Sequence, residues 1–320
     1  MALPWIREHR DEDFFLFVHY WDPHSIYYPP EPYRGLFYRG DETDPENHSL
    51  DVLKTQPVWP FTKRHLDAMK EGITDIEYVI AQYDGEIRYT DDNVGELVNL
   101  LKELGIYDET VLIFTSDHGE SLGEHHFYFD HCDIYEPTIH IPLIVRYPEE
   151  VPKGRRIKDL VQSTLCIAPT VLKLFGLDVP KVMEGKNLIE IANGEDEGYG
   201  EIYVNQGLWT AKRAIRVGGW KLIKTLDKSF WETPETELYN LEADPEEADN
   251  LAEEEPRIVD ELELRMYRWL RRKLGRRIDP LERIVENGLP VYRWVRRAAE
   301  LSGLIEMYDE WRMRVDRGLT

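Results

Sequence analysis

The sequence predicts an α/β protein: a mostly parallel sheet flanked by helices, followed by a small antiparallel sheet with a helix across it. Three observations carry this reading. Phe14–Tyr20 (FFLFVHY) and Val111–Ser116 (VLIFTS) are apolar runs with little alternation, as in strands buried on both faces. Val94, Leu97, Val98, Leu101 and Leu104 recur at helical spacing, stop at Gly105 and lead after a short turn into the second run, the order of a crossover connection. Beyond residue 200 lie several short β-rich runs, two of them separated only by Gly218-Gly219, a hairpin signal.

Taken in order, Pro23, Pro29 and Pro30 end the first expected strand and open a loop that carries His24. Residues 39–60 are polar with interspersed prolines and read as a surface excursion. The pattern is helical from about Arg64 to Leu104, and another apolar run follows at Ile141–Val145. Ser163–Phe175 reads as a helix ended by Gly176, and residues 192–200 (ANGEDEGYG) form a polar, Gly-rich boundary. Strands are expected at Glu201–Val204, Lys212–Val217, Trp220–Lys224 and Thr236–Tyr239, then a helical stretch from Pro245, interrupted at Pro256, to about Leu274. Two or three short helices should follow Gly275; acidic residues there nearly balance the arginines, which favours a packing or oligomerisation extension over a nucleic-acid arm. The expected divisions are therefore 1–198, 199–275 and 276–320.

A chain of 320 residues accommodates one large domain or two. Its net charge of −23 argues against nucleic acid or an anionic membrane as a partner, so an anionic substrate needs a local site working against the overall field. Cys132 and Cys166, the only cysteines, are too few for a disulfide framework and read as inert fillers. No leader or run of membrane-spanning length is legible, and a cytoplasmic location is expected.

The chemistry concentrates between Thr110 and Pro148. All ten histidines lie within the first 140 residues, five of them from His118 to His140, interleaved with Asp117, Glu120, Glu124, Asp130, Asp133 and Glu136. Asp117-His118 at a strand end offers a divalent cation a carboxylate oxygen beside a second donor. Sites in parallel sheets lie outside the carboxyl ends of strands, so His24 and the Asp117-His118 pair are expected on one edge. Glu124, His125 and His126 read as loop-ordering groups, and His19 as a packed core histidine.

FFLFVHYWDPHSIYYPP, LGIYDETVLIFTSDHGESLGEH, IYEPTIHIPLIVRYP, IAPTVLKLFGL and RVGGWKLI with ELYNLEADPEEADNLA resemble, in this order, the sulfatase family of the alkaline phosphatase superfamily. The resemblance covers most of residues 14–270. It implies that Asp117 and His118 bind the metal, calcium in the first place with magnesium or manganese as alternatives. It implies that His24 contacts the sulfate ester. His131, four residues before Tyr135-Glu136, stands where a sulfate-binding lysine is often found. His24 and His131 are thus the candidate catalytic residues.

Two features of that family are not found in the sequence. One is the Cys/Ser-x-Pro-Ser-Arg segment whose first residue becomes the formylglycine nucleophile; Cys132 is followed by Asp-Ile-Tyr and Cys166 by Ile-Ala-Pro-Thr. The other is the early strand that supplies metal-binding aspartates. The expectation is an N-terminally incomplete sulfatase fold and a sulfuric ester hydrolase acting on a sulfate-ester small molecule or glycan. Its nucleophile would lie outside this chain, with another polypeptide supplying the missing part or with a homo-oligomer. Two alternatives stand beside it: a non-catalytic binding or regulatory subunit, and a metal-dependent phosphoesterase of the same superfamily.

Overall fold

Helix α1 (Ala2–Glu8) opens the chain, and α2 (Asp51–Lys54), α3 (Trp59–Met69) and α4 (Ile76–Glu103) follow. These coordinates are a computed structural model that describes residues 1–316. The helical pattern seen from Arg64 to Leu104 is two helices, broken where Gly72 adopts a φ of +78°. Asp75 caps α4 by accepting the Glu77 amide at 3.0 Å. At the other end Gly105 takes a φ of +77° and lets the Ile106 amide reach the Leu101 carbonyl at 3.1 Å, the closure that favours glycine here. Residues 39–60 are less superficial than expected, since Leu50, Leu53 and Val58 are buried.

Next come β1 (Leu112–Thr115), a short hairpin of β2 (Ser121–Leu122) and β3 (Tyr128–Asp130), the one-turn helix α5 (Glu136–Ile139) and β4 (Leu143–Arg146). α6 (Ser163–Leu174) and α7 (Leu188–Asn193) lead to β5 (Ile202–Gln206), β6 (Ala211–Val217), β7 (Trp220–Asp227) and β8 (Thr236–Asn240). These last four form an antiparallel sheet in sequence order. α8 (Pro256–Leu274) starts at the proline rather than at Pro245, and α9 (Pro280–Asn287), α10 (Pro290–Ser302) and α11 (Ile305–Asp316) occupy the extension. The last residues of that extension, 317–320, lie outside the described residues.

The expected parallel sheet is corrected in one respect. Every ladder among the described residues is antiparallel, β1 with β4 included. Phe14–Tyr20 carries no strand pairing; Phe15 and Phe17 are 60% and 77% exposed, and His19 is exposed rather than in a core. A strand buried on both faces requires a hydrogen-bonded neighbour on each edge, and no described segment supplies one to this run.

The chain divides into two compact units, Met1–Thr110 with the segment from Trp294 onward, and Val111–Arg293. Compactness groups residues 111–198 with the four-stranded sheet, across the polar stretch at 192–200. The reason lies in how that sheet uses its faces. Ile215, Leu222 and Leu238 on one face pack against Leu262 and Met266 of α8. The opposite face carries Lys212, Arg216, Lys221, Glu237 and Tyr239, and Lys212 and Lys221 are fully buried. They are covered by the segment that precedes β4. No helix among the described residues is long and apolar enough to cross a membrane.

Candidate metal and anion site

Asp117 and His118 follow β1 directly, so their backbone is held by a ladder strand on one side. On the other side Gly119 abuts α5: its amide donates to the Thr138 carbonyl at 2.8 Å, and a Cβ here would lie 2.0 Å from the Pro137 carbonyl oxygen. No side chain fits at that position, which accounts for glycine after the Asp-His pair. The His118 ring places Nδ1 2.8 Å from the Gly119 carbonyl oxygen. A carbonyl only accepts, so Nδ1 carries the proton and Nε2 is left as the lone-pair donor of the neutral ring. That Nε2 is 3.8 Å from Asp117 Oδ1. Two ligands bonded to one cation at about 2.0–2.6 Å subtend such a separation at an open angle, so the pair fits a divalent ion.

His131 lies at the end of the β2–β3 hairpin, and its ring stacks on His118 with centroids 3.8 Å apart. Its Nδ1 faces Glu120 Oε2 at 3.6 Å and Asp130 Oδ1 at 3.5 Å. Burial opposes a charge on this imidazole, but Glu120 and Asp130, with Asp117 further off, outweigh it and hold His131 above the usual histidine range. Burial also pushes the Asp130 carboxyl up. A lone-pair nitrogen beside a carboxylate, with an imidazole poised to be cationic stacked against it, suits a cation and an anion as neighbours.

His24 belongs to the other compact unit. Its Nδ1 is 2.9 Å from the Ser25 carbonyl, which leaves Nε2 as the lone-pair nitrogen, and its ring packs on Trp21 at 4.7 Å. The loop beyond it is fastened to α4: the Tyr28 amide donates to Glu86 at 2.6 Å, and Gln82 donates to the Arg34 carbonyl at 3.1 Å.

Of the three groups read as loop-ordering, Glu124 and His125 make contacts within and beyond their loop. The Glu124 carboxylate accepts the Leu122 amide at 2.7 Å, and the His125 ring lies flat on Tyr135 at 3.6 Å. Burial lowers the tendency of His125 to take up a proton and pushes the Cys132 thiol well above its ordinary value.

Residues 1–177 match the sulfatase family, and residues 123–273 match the C-terminal region of N-sulphoglucosamine sulphohydrolase. The chain belongs to the sulfatase family. Choline-sulfatase of Rhizobium meliloti is 29% identical over 276 residues, 83% of this chain and 52% of its own length. N-acetylglucosamine-6-O-sulfatase of Bacteroides thetaiotaomicron is 31% identical over 179 residues, 53% of this chain and 31% of its own. This sulfatase-family chain thus spans about half, or less, of the length of these curated relatives. Among solved structures, one in complex with its substrate D-glucosamine-2-N,6-O-disulfate superposes with a TM-score of 0.66 at 21% identity, covering 88% of this chain and 69% of that one. The phosphonate monoester hydrolase of Agrobacterium radiobacter gives 0.62 at 22% identity, covering 84% and 59%. These likenesses show the fold alone, an α/β fold with a C-terminal antiparallel sheet.

Sequence reasoning left Glu120 and Asp130 as ligand-type groups without roles and passed over Lys212 and Lys221 altogether. The adjacency of Asp130 to His131 was a usable signal for the first pair. For the lysines no local signal exists, because alternating charges on a strand read as a solvent face.

Proposed function

We propose that this chain is the cation- and anion-binding part of a sulfuric ester hydrolase. Asp117 and His118 would hold a divalent ion, calcium by family resemblance, although an imidazole nitrogen also admits manganese. His131 and His24 would bind the ester oxygens. The observation that carries this reading is local: the hydrogen bond of His118 Nδ1 to the Gly119 carbonyl turns Nε2 toward Asp117, and the His131 ring is stacked on His118. When bound, the ion would polarise the ester oxygens as a Lewis acid. The chain's own residues orient the ester, and His131 would offer a proton to one of its oxygens or to the leaving alcohol. The formylglycine nucleophile is assigned to residues outside this sequence, whether on a longer polypeptide or on a second chain.

The test is binding of p-nitrophenyl sulfate to this chain with and without calcium or manganese. Binding that needs the cation, disappears in Asp117→Ala and weakens in His131→Ala, without release of nitrophenol, is the expected outcome. Tighter binding of p-nitrophenyl phosphate would favour the phosphoesterase reading, in keeping with the name of a relative from Trinickia caryophylli, the multifunctional alkaline phosphatase superfamily protein PehA. Turnover by this chain, lost in Asp117→Ala, would overturn the placement of the nucleophile elsewhere. Failure to bind either ester would leave a non-catalytic subunit as the better reading.

A further inference from the structure

Lys212 and Lys221 are fully buried and sit on adjacent strands, a costly arrangement unless it holds something in place. Lys221 Nζ lies 3.1 Å from Glu136 Oε1 and 2.7 Å from Glu247 Oε1. Glu136 Oε2 accepts Arg216 at 3.0 Å, and Glu247 Oε2 in turn accepts the Glu136 backbone amide at 2.6 Å. Lys212 Nζ lies 2.9 Å from Asp133 Oδ2 and 3.6 Å from Glu237 Oε1, and Glu237 accepts the Tyr135 hydroxyl at 2.5 Å. Some of these oxygens (Asp133 Oδ2, Glu237 Oε1, Glu247 Oε1) are met off the hydrogen-bond direction, so the hold there is Coulombic rather than angular. Both lysines therefore grip one stretch, Asp133–Glu136, which leads into α5 and ends at its first residue.

A continuous path of contacts runs from α5 to the Asp117-His118 pair. Thr138 of α5 ties back to the Asp133 carbonyl through its hydroxyl at 2.8 Å. Its own carbonyl accepts the Gly119 amide, and the Gly119 carbonyl accepts His118 Nδ1. The carbonyl that fixes the His118 tautomer thus belongs to a peptide segment whose position is set by α5, and α5 is set by the lysines.

We propose that Lys212 and Lys221, through Asp133 and Glu136, are positioning residues that hold His118 Nε2 in its ligand orientation; this rests on the reading of Asp117 and His118 as cation ligands. Neither lysine touches the ion. Orienting groups behind metal ligands change affinity by about 10–100-fold when removed.

The experiment titrates manganese and calcium into the chain by calorimetry, and reads the His118 tautomer by NMR of 15N-labelled histidine without metal. Lys221→Met is expected to weaken manganese binding about tenfold or more and to lose the single Nδ1–H tautomer of His118. Glu247→Gln and Glu136→Gln are milder variants that should shift both readouts the same way if Lys221→Met does not fold. Leu262→Ala, on the apolar side of the same sheet, should lower the melting temperature while leaving affinity and tautomer unchanged. An unaltered tautomer and affinity in every folded Lys221, Glu136 or Glu247 variant would overturn the proposal, as would equal losses in Leu262→Ala. Wild-type protein that binds neither cation, or binds it equally well as Asp117→Asn, would instead overturn the ligand reading beneath it.

Discussion

The four-stranded sheet buries both its faces by opposite means. On one side Ile215, Leu222 and Leu238 meet Leu262 and Met266, and stabilisation is non-directional burial of apolar surface. On the other side Lys212 and Lys221 meet Asp133, Glu136, Glu237 and Glu247, and two cations with four carboxylates are withdrawn from water together. The apolar face tolerates sliding and small changes of shape; the ionic face does not, because each displaced charge loses its partner. The sheet is thus adhesive toward α8 and position-setting toward the segment that carries Asp117, His118 and His131. The difference teaches that the costlier face adjoins the residues whose geometry matters.

The largest effect that would sharpen this contrast is expected from Lys212→Met. It leaves Asp133 and Glu237 buried without their cation and should destabilise the protein by about 3–5 kcal/mol, measured by urea denaturation. A loss no larger than that of an ordinary surface substitution would mean that water reaches this face. Leu262→Ala on the apolar face should cost about 2–4 kcal/mol through lost burial and a partly collapsed cavity, without changing the pH dependence of stability.

A smaller effect separates paired from unpaired burial. Glu86 is a buried carboxyl on α4 that accepts the Tyr28 amide, and burial pushes its pKa from 4.5 up to about 8, with Asp22 adding to the rise. The folded pKa is raised, so the folded state binds the proton more tightly than the unfolded chain. Its contribution is fully present below about pH 4.5 and is lost as the pH climbs through about 8. Thermal melts across that window should show a decline that Glu86→Gln flattens. An unchanged slope in Glu86→Gln would show that the carboxylate is already stabilised at neutral pH.

Local patterning made much of this protein legible. The α4 repeat ended at Gly105, the helix ended at Gly176 and the hairpin at Gly218-Gly219 all appear where sequence placed them, because each depends on residues a few positions apart. Asp117-His118 after a strand was legible for the same reason. Phe14–Tyr20 was misread as a laddered strand because a run of apolar residues records burial preference, not the presence of a neighbour to pair with.

By itself, the sequence determined which residues form the sheet and which share a face. Lys212 and Arg216 are four apart and Ile215 and Val217 two apart, both even spacings, and the pleat sends each pair to its own side. The tertiary structure alone decided that the charged side is interior. Lys221 meets Glu136 from 85 residues away, and Tyr135 reaches Glu237 across 102. Alternation specifies a face but not what covers it, and a lysine reads as solvated until a distant carboxylate is folded against it.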